Sequence, residues 1–236
     1  MEGIDINHDG FNWGLFEALL GEGYDFKGKN VVEIGCGTGV DSISMAKRGA
    51  SVTFLDMEKK ALEIVRKSAE KNGVKAEYLH GNAFEVGLKG FDIAHSGGLV
   101  EHFLGEQRQE IIDVHTRAVK KGGKVVLFVP NAKCPPYRIG KAAAQLAGNW
   151  PYGNEYPYTK SELKRNMERS GLRVEKMIGG ELLFGVLWAF LPLWVKSKWI
   201  LMRGAQAKYR EGWAKLNYNN FLANRVGRVI GAIGEK

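Results

Sequence analysis

A series of glycines follows the first strongly apolar segment and is the clearest candidate for chemistry. Residues 31–39 are VVEIGCGTG, so Gly35, Gly37 and Gly39 are each two residues apart. Glycine has no Cβ, which lets backbone N–H groups and the start of a following helix approach a ligand closely. The dinucleotide-binding pattern would place its third glycine at position 40, which is Val, and a phosphate-binding P-loop would end in Gly-Lys-Ser/Thr. The turn therefore predicts a cofactor site of a different kind.

An acidic residue just before the glycines supports that distinction. Glu33 stands two residues before Gly35. A carboxylate at this position would lie unfavourably beside a pyrophosphate, but it can attract a cationic ligand or order the amides of the turn.

Strands and helices must alternate to position this turn and the polar residues that follow it. Apolar runs predict strands, and apolar residues at helical spacing predict helices between them. Five strands are predicted at Val31–Ile34, Ser51–Leu55, Ala76–Leu79, Phe91–His95 and Lys124–Val129, with helices at Val40–Lys47, Glu58–Asn72 and Glu106–Val119. This alternation indicates an α/β fold with a doubly wound, mostly parallel sheet and helices on both faces. In such sheets ligands bind beyond the carboxyl ends of the strands.

The second half of the chain completes a predicted sheet of seven strands. Residues 131–158 are rich in Pro, Tyr, Gly and Asn and predict a long loop, with a helix at Ile139–Leu146. Thr159 and Glu162 have the spacing of a capping box and start a helix at Lys160–Ser170. The last two strands are predicted at Leu172–Ile178 and Val226–Ile233.

The order of motifs along residues 28–130 resembles the class I S-adenosylmethionine-dependent methyltransferases. The segment EIGCGTG resembles their first motif, and the run Ser51–Asp56 resembles their second strand, which ends in an acid. Gly81-Asn82-Ala83-Phe84 is similar to their Gly-Asp-Ala segment. Residues 97–103 resemble the loop after their fourth strand, and Gly122-Gly123-Lys124 precedes the fifth.

The resemblance implies a binding site for S-adenosyl-L-methionine, with S-adenosyl-L-homocysteine as the product. Asp56 would accept hydrogen bonds from both ribose hydroxyls, because one carboxylate can accept two such bonds. Met57 would pack on the adenine, and Asn82 would keep a side-chain acceptor for the adenine amino group. The full set of cofactor-binding residues expected from the resemblance is Glu33, Gly35, Cys36, Gly37, Gly39, Asp56, Met57, Asn82, Ala83, Phe84, Ser96 and Gly97.

The resemblance also implies in-line attack by an acceptor on the methyl group, so the protein must position the acceptor and, for a hydroxyl or carbon acid, supply a base. His102 is the candidate base, because it lies on the loop after the fourth strand and histidine titrates near neutrality. Structural and cofactor-side roles for His102 stay open. His95 and His115 are expected to be strand and helix residues, and Cys134 an ordinary loop thiol.

Composition limits the class of protein. Hydrophobic residues make up 44% and charged residues 25% of the 236 residues, which is typical of a globular chain. Only Cys36 and Cys134 are present, which excludes a disulfide framework and a four-thiolate metal site, and no metal is predicted. The acidic N-terminus lacks the pattern of a signal peptide, so a cytoplasmic location is expected.

The net charge of +8 lies entirely in the back part of the chain. Residues 151–236 hold 15 Lys and Arg against 7 Asp and Glu, whereas residues 1–150 hold 19 of each. Residues 182–195 are uncharged but too short for a membrane-spanning helix, and Pro192 interrupts them. Basic and aromatic residues follow, so 182–220 could form a lid, a subunit contact or a contact with a membrane surface.

We therefore expect one methyltransferase domain over 1–236. It would comprise an N-terminal cap helix in 1–27, a cofactor-binding core in 28–130 and a substrate-side half in 131–236. The leading hypothesis is methylation of a small or lipid-like acceptor, with Phe11, Trp13, Phe16 and residues 182–220 covering the pocket. Two alternatives are RNA methylation through the basic, aromatic back half and a non-catalytic cofactor-binding module. Acceptor and oligomeric state are left open.

Overall fold

A computed structural model describes residues 12–150, 152–181 and 221–236. The described strands are β1 Asn30–Ile34, β2 Ser51–Asp56, β3 Ala76–His80, β4 Phe91–Gly97, β5 Val119–Pro130, β6 Arg173–Gly180 and β7 Val229–Glu235. They form one seven-stranded sheet with the order β3-β2-β1-β4-β5-β7-β6. β7 is antiparallel to both of its neighbours, and the other pairs are parallel. The predicted α/β fold is confirmed.

Helices cover both faces of this sheet. The described helices are α1 Trp13–Leu20, α2 Val40–Ala46, α3 Lys59–Lys71, a 3₁₀ turn Val100–His102, α4 Gly105–Ala118, α5 Pro135–Leu146, α6 Lys160–Arg169 and α7 Phe221–Val226. Successive strand residues point to opposite faces, so Val31 belongs to the core under α1, α2 and α3, whereas Val32 belongs to the core under α4 and α6. Both faces of the strands are buried, as their continuous apolar runs predict.

The start of α6 confirms part of the predicted capping box. The Thr159 hydroxyl accepts a hydrogen bond from the Glu162 amide at 3.2 Å. The Glu162 carboxylate binds Arg108 at 2.8 Å, and so it ties α6 to α4.

Three predicted boundaries are wrong. β5 begins at Val119 rather than Lys124, because Val119 already pairs with Phe91 of β4. α5 begins at Pro135 rather than Ile139, because two prolines with φ already fixed near the helical value occupy its first turn. β7 begins at Val229 rather than Val226, because residues 221–226 form α7. The segment 131–158 is therefore part helix and part loop.

The expectation that Trp13 and Phe16 cover a ligand pocket is also wrong. Both are buried in the core, at 4% and 1% exposure. The Phe16 ring packs edge-on against Phe128 at 4.7 Å and against His95 at 5.2 Å. Burial of these large apolar rings stabilises the layer that α1 forms on the sheet.

Phe11 and the 182–220 segment lie outside the described residues. None of the helices in the described ranges has both the length and the apolar composition needed to cross a membrane.

Candidate active site

The glycine turn lies between β1 and α2, at the carboxyl end of the sheet. Gly35, Gly37 and Gly39 have φ values of 67°, 51° and 65°, in the left-handed region that favours glycine. A Cβ on Gly35 would lie 2.8 Å from the Leu99 side chain, and one on Gly39 would lie 2.8 Å from Phe54 and Val65. No atom lies within 4 Å of a Cβ position on Gly37. Gly35 and Gly39 are therefore needed for packing, whereas Gly37 leaves space for a ligand.

Asp56 ends β2 and holds this turn. Its carboxylate accepts from the Gly37 amide at 3.1 Å, the Cys36 thiol at 3.7 Å and the Glu58 amide at 2.9 Å. Met57 follows with 67% of its surface exposed. The structure thus places an acid and an exposed apolar side chain beside the open face of the turn.

The loop after β3 reaches the same place. The Gly81 amide donates to the Asp56 carbonyl at 3.1 Å. The Asn82 side chain accepts from the Phe84 amide at 3.1 Å and donates to Glu85 at 3.2 Å, so it shapes its own loop. Ala83 and Phe84 are half-buried.

Glu33 lies beneath the turn rather than on its surface. It is buried, it bonds with Ser42, and one carboxylate oxygen has no hydrogen-bond partner within the described ranges. Burial, and then the charge of Asp41, raise the pKa of Glu33 well above its usual value. The Asn12 amide and side chain both donate to Asp41, at 3.0 and 2.8 Å. An acidic pair thus lies next to the glycines, and a cationic ligand there would favour the ionised form of Glu33.

The end of β4 contributes Ser96 and Gly97 in different ways. The Ser96 hydroxyl is buried and bonds to His115 on α4 at 3.0 Å, so this side chain does not face the cleft. A Cβ on Gly97 would lie 3.1 Å from the Asn12 side chain. His95 is a buried strand residue whose ring bonds to Ser42 at 2.7 Å. His95 and His115 are strand and helix residues, as predicted.

His102 ends the 3₁₀ turn that follows β4. It is half-buried, and its Nδ1 lies 2.8 Å from the Asn154 carbonyl. The preceding residue, Glu101, is 1% exposed, and burial raises its pKa to about 8. Atoms of Glu101, His102 and Glu155 that could bind a metal lie within 4.8 Å of one another.

Sequence reasoning missed the residues that face Glu101 from the 131–158 segment. The hydroxyl of Tyr137 donates to the Glu155 carboxylate at 2.9 Å, and the Lys141 ammonium lies 3.6 Å from the same carboxylate. No motif marks these residues, and only the helical spacing of Tyr137 and Lys141 places them on one face of α5. Cys134, the N-cap of α5, is buried, and burial raises the pKa of its thiol.

Known proteins resemble the chain over the region that contains the glycine turn. The family described as a methyltransferase domain matches residues 31–123. The ubiquinone biosynthesis O-methyltransferase of Pseudomonas aeruginosa is 31% identical over 182 residues, which are 74% of this chain and 75% of that protein. The enzyme of the same name from Aromatoleum aromaticum is 30% identical over 159 residues, 64% of this chain and 67% of that protein.

Solved structures share the fold at lower identity. A Thermotoga maritima protein described as a possible histamine N-methyltransferase has a TM-score of 0.60 at 18% identity, over 88% of this chain and 82% of its own. Magnesium protoporphyrin IX methyltransferase from Synechocystis, solved with S-adenosylhomocysteine, has a TM-score of 0.53 at 18% identity, over 65% and 68%. Because it has the glycine turn, the seven-stranded sheet and these relatives, the chain belongs to the class I S-adenosylmethionine-dependent methyltransferases and methylates a small molecule.

Proposed function

We propose that the protein transfers the methyl group of S-adenosylmethionine to a hydroxyl oxygen of a small acceptor. The observation that carries this proposal is the match to O-methyltransferases over 75% of the length of the Pseudomonas aeruginosa protein, at 31% identity. The comparisons lend no support to RNA methylation or to a non-catalytic binding module. Contact of 182–220 with a membrane surface, a cytoplasmic location and a single domain over 1–236 stay predictions.

The arrangement around the glycine turn supports the choice of cofactor residues. In this assignment the cofactor packs against the backbone of Gly35, Cys36, Gly37 and Gly39. Asp56 accepts hydrogen bonds from its ribose hydroxyls. Met57, with Asn82, Ala83 and Phe84, would hold the adenine. Glu33, beneath the turn, would attract the positively charged end of S-adenosylmethionine, and the backbone of Ser96 and Gly97 would lie beside that end. The buried, unpartnered Glu33 oxygen and the open space at Gly37 fit a cationic nucleoside ligand.

The cofactor supplies a methyl group already activated by its sulfonium, which leaves orientation and proton removal to the protein. If the His102 Nδ1 proton is donated to the Asn154 carbonyl, Nε2 keeps the lone pair that can take a proton from a hydroxyl. We therefore assign the general base to His102.

Transfer of a labelled methyl group tests this assignment. Purified protein with isotopically labelled S-adenosylmethionine is offered hydroxybenzenes and matching aminobenzenes, and mass spectrometry locates the label. We expect O-methylated products only. We also expect His102→Gln to lower kcat about a hundredfold while S-adenosylhomocysteine binding is kept. Label found only on amines, or full activity of His102→Gln, would contradict the respective part of the proposal.

A further inference from the structure

Two buried polar atoms, one after β4 and one after α5, lack a hydrogen-bond partner among the described residues. They are Oε2 of Glu101 and Nε1 of Trp150, and no described residue bonds to either. Buried polar atoms in native proteins are nearly always paired, so an orphaned atom indicates a missing ligand, ion or water. The indole N–H can only donate, whereas a glutamate side chain accepts when ionised and also donates when protonated.

Both orphaned atoms belong to residues around one polar group. Glu155 lies within 4.8 Å of Glu101, measured between atoms that could bind a metal, and it is bound by Tyr137 and Lys141. The same two residues pack on Trp150: the Tyr137 and Trp150 rings are 6.3 Å apart, and the Lys141 ammonium lies 5.5 Å from the indole centre. Tyr137 and Lys141 therefore contact both Glu155, which lies near Glu101, and Trp150.

This group lies beside the glycine turn. A Cβ on Gly98 would lie 3.4 Å from the Glu101 carboxylate. Leu99, between them, packs on Gly35. The Tyr156 amide donates to the Glu101 carbonyl at 2.7 Å, so the loop that carries Trp150 and Glu155 is attached to the loop that carries Glu101. An acceptor held here would be next to the proposed position of the methyl donor.

The chemistry of the orphaned atoms describes the part of an acceptor that would satisfy them. A hydroxyl group can bond to Glu101 in either of its protonation states. A second oxygen on the same molecule can accept from the indole N–H. The rings of Tyr137, Trp150 and Tyr152 pack edge-on at 6.3 and 5.3 Å, and they offer a surface suited to an aromatic ring.

We infer that Glu101 and Trp150 determine acceptor specificity, Glu101 by binding one hydroxyl of an oxygen-bearing aromatic ring and Trp150 by donating to a second oxygen. This rests on the proposed function for the identity of the reaction, but the recognition itself is a binding property. Glu155, Tyr137 and Lys141 act as positioning residues for the pair.

Direct binding of two probes that differ by one hydroxyl tests the inference. Phenol and catechol are titrated into the full-length protein saturated with S-adenosylhomocysteine, followed by calorimetry or by ligand-observed NMR. We expect the unaltered protein to bind catechol about tenfold more tightly than phenol, the effect of one well-placed hydrogen bond. Trp150→Phe should bring the ratio to about one. Glu101→Met should weaken both probes about tenfold, and Glu101→Gln, which keeps polar atoms, should restore most of that loss.

The ratio within each variant is its own control for folding, and Tyr24→Phe, which also removes one polar atom but lies near the start of β1, should leave it unchanged. An unchanged ratio in Trp150→Phe would overturn the inference, and so would the absence of a catechol preference in the unaltered protein. Loss of catechol binding with a chelator and its return with Mg²⁺ would also overturn it, because Glu101, His102 and Glu155 would then hold a cation. If Trp150→Phe loses the preference for catechol over phenol but the protein transfers no methyl group to oxygen, only the proposed function would be contradicted.

Discussion

The carboxylate of Asp56 is bound by the backbone of two different loops. It accepts from the Gly37 amide in the glycine turn and from the Glu58 amide at the start of α3. Its own carbonyl accepts from Gly81 after β3. One side chain and its backbone thus hold together the three loops that we assign to the cofactor, and the side chain would also bind the ribose.

Replacement of Asp56 by Ala should therefore cost more than the ribose contact. Hydrogen bonds to a charged group contribute about 1.5–3 kcal/mol each, so we expect at least a hundredfold loss of S-adenosylhomocysteine affinity, measured by calorimetry. Asp56→Asn, which keeps one acceptor oxygen, should lose less. Gly37→Val should also weaken binding strongly, because its side chain would enter the open face of the turn at a positive φ.

The matching control is Cys36→Ala, which removes only the weak 3.7 Å thiol contact to Asp56. It should change affinity by less than about threefold. An Asp56→Ala variant that binds S-adenosylhomocysteine as tightly as the unaltered protein would refute the assignment.

Sequence predicts the residues of this site where they lie in a strand or close to its end. Gly35, Asp56 and Asn82 come directly after apolar runs, and the parallel sheet brings those ends together. The direction of the Ser96 side chain could not be predicted, because it depends on His115 on another element. Glu155 and Trp150 lie in an irregular loop, where no periodicity relates sequence to position.

At the scale of elements, α7 and β6 approach each other unusually closely. A Cβ on Gly179 in β6 would overlap the Ala223 carbonyl oxygen of α7. The Gly179 amide donates to the Asn224 side chain at 2.6 Å. The absence of a side chain at position 179 is what allows α7 to pack there, and β7 follows α7 directly. The predicted β7 began too early because only Gly227 and Arg228 separate Val226, the last residue of α7, from Val229, and periodicity alone does not separate a short helix from a strand.

Gly179→Ala should accordingly destabilise the protein. The added methyl group meets backbone, which cannot rotate away, so we expect the free energy of unfolding to fall by about 1–3 kcal/mol in urea titrations. Gly87→Ala is the matched control, since no atom lies within 4 Å of its Cβ position and its φ is not positive. Equal stability of the two variants would contradict this account of the α7 packing.

At the scale of the whole molecule, ionisable side chains are buried on both sides of the sheet. His95 lies under α1 and α2, and His115 is the residue of α4 that bonds to Ser96 of β4. Burial lowers the pKa of His95 to about 3 and that of His115 to about 4. Burial also raises the pKa of Glu101 to about 8, with the nearby Glu155 acting in the same direction. Folding therefore favours the neutral form of each group.

These shifts predict how stability depends on pH. Below about pH 6.5 His95 and His115 are protonated in the unfolded chain but stay neutral when buried in the folded protein. Their contribution to the free energy of unfolding is therefore present above that pH and is lost as the pH falls toward their pKa values in the folded protein. Glu101 acts in the opposite sense, because it stays protonated in the folded protein while the unfolded carboxyl ionises near pH 4.5. Its contribution is present below pH 4.5 and is lost as pH rises through about 8. The free energy of unfolding should then decline above about pH 6.5, because there only the carboxyl groups with raised pKa values change the stability with pH.

Urea titrations between pH 6.5 and 8 measure that decline. One group shifted in this sense contributes a slope of about −1.4 kcal/mol per pH unit, and Glu101→Gln should remove about that much of the slope. Glu33, whose pKa is also raised, would account for part of what is left. Glu106→Gln, an exposed carboxyl in the first turn of α4, is the matched control and should leave the slope as it is. If Glu101→Gln keeps the full slope, Glu101 is ionised in the folded protein, and its carboxylate must then have a partner such as a bound cation.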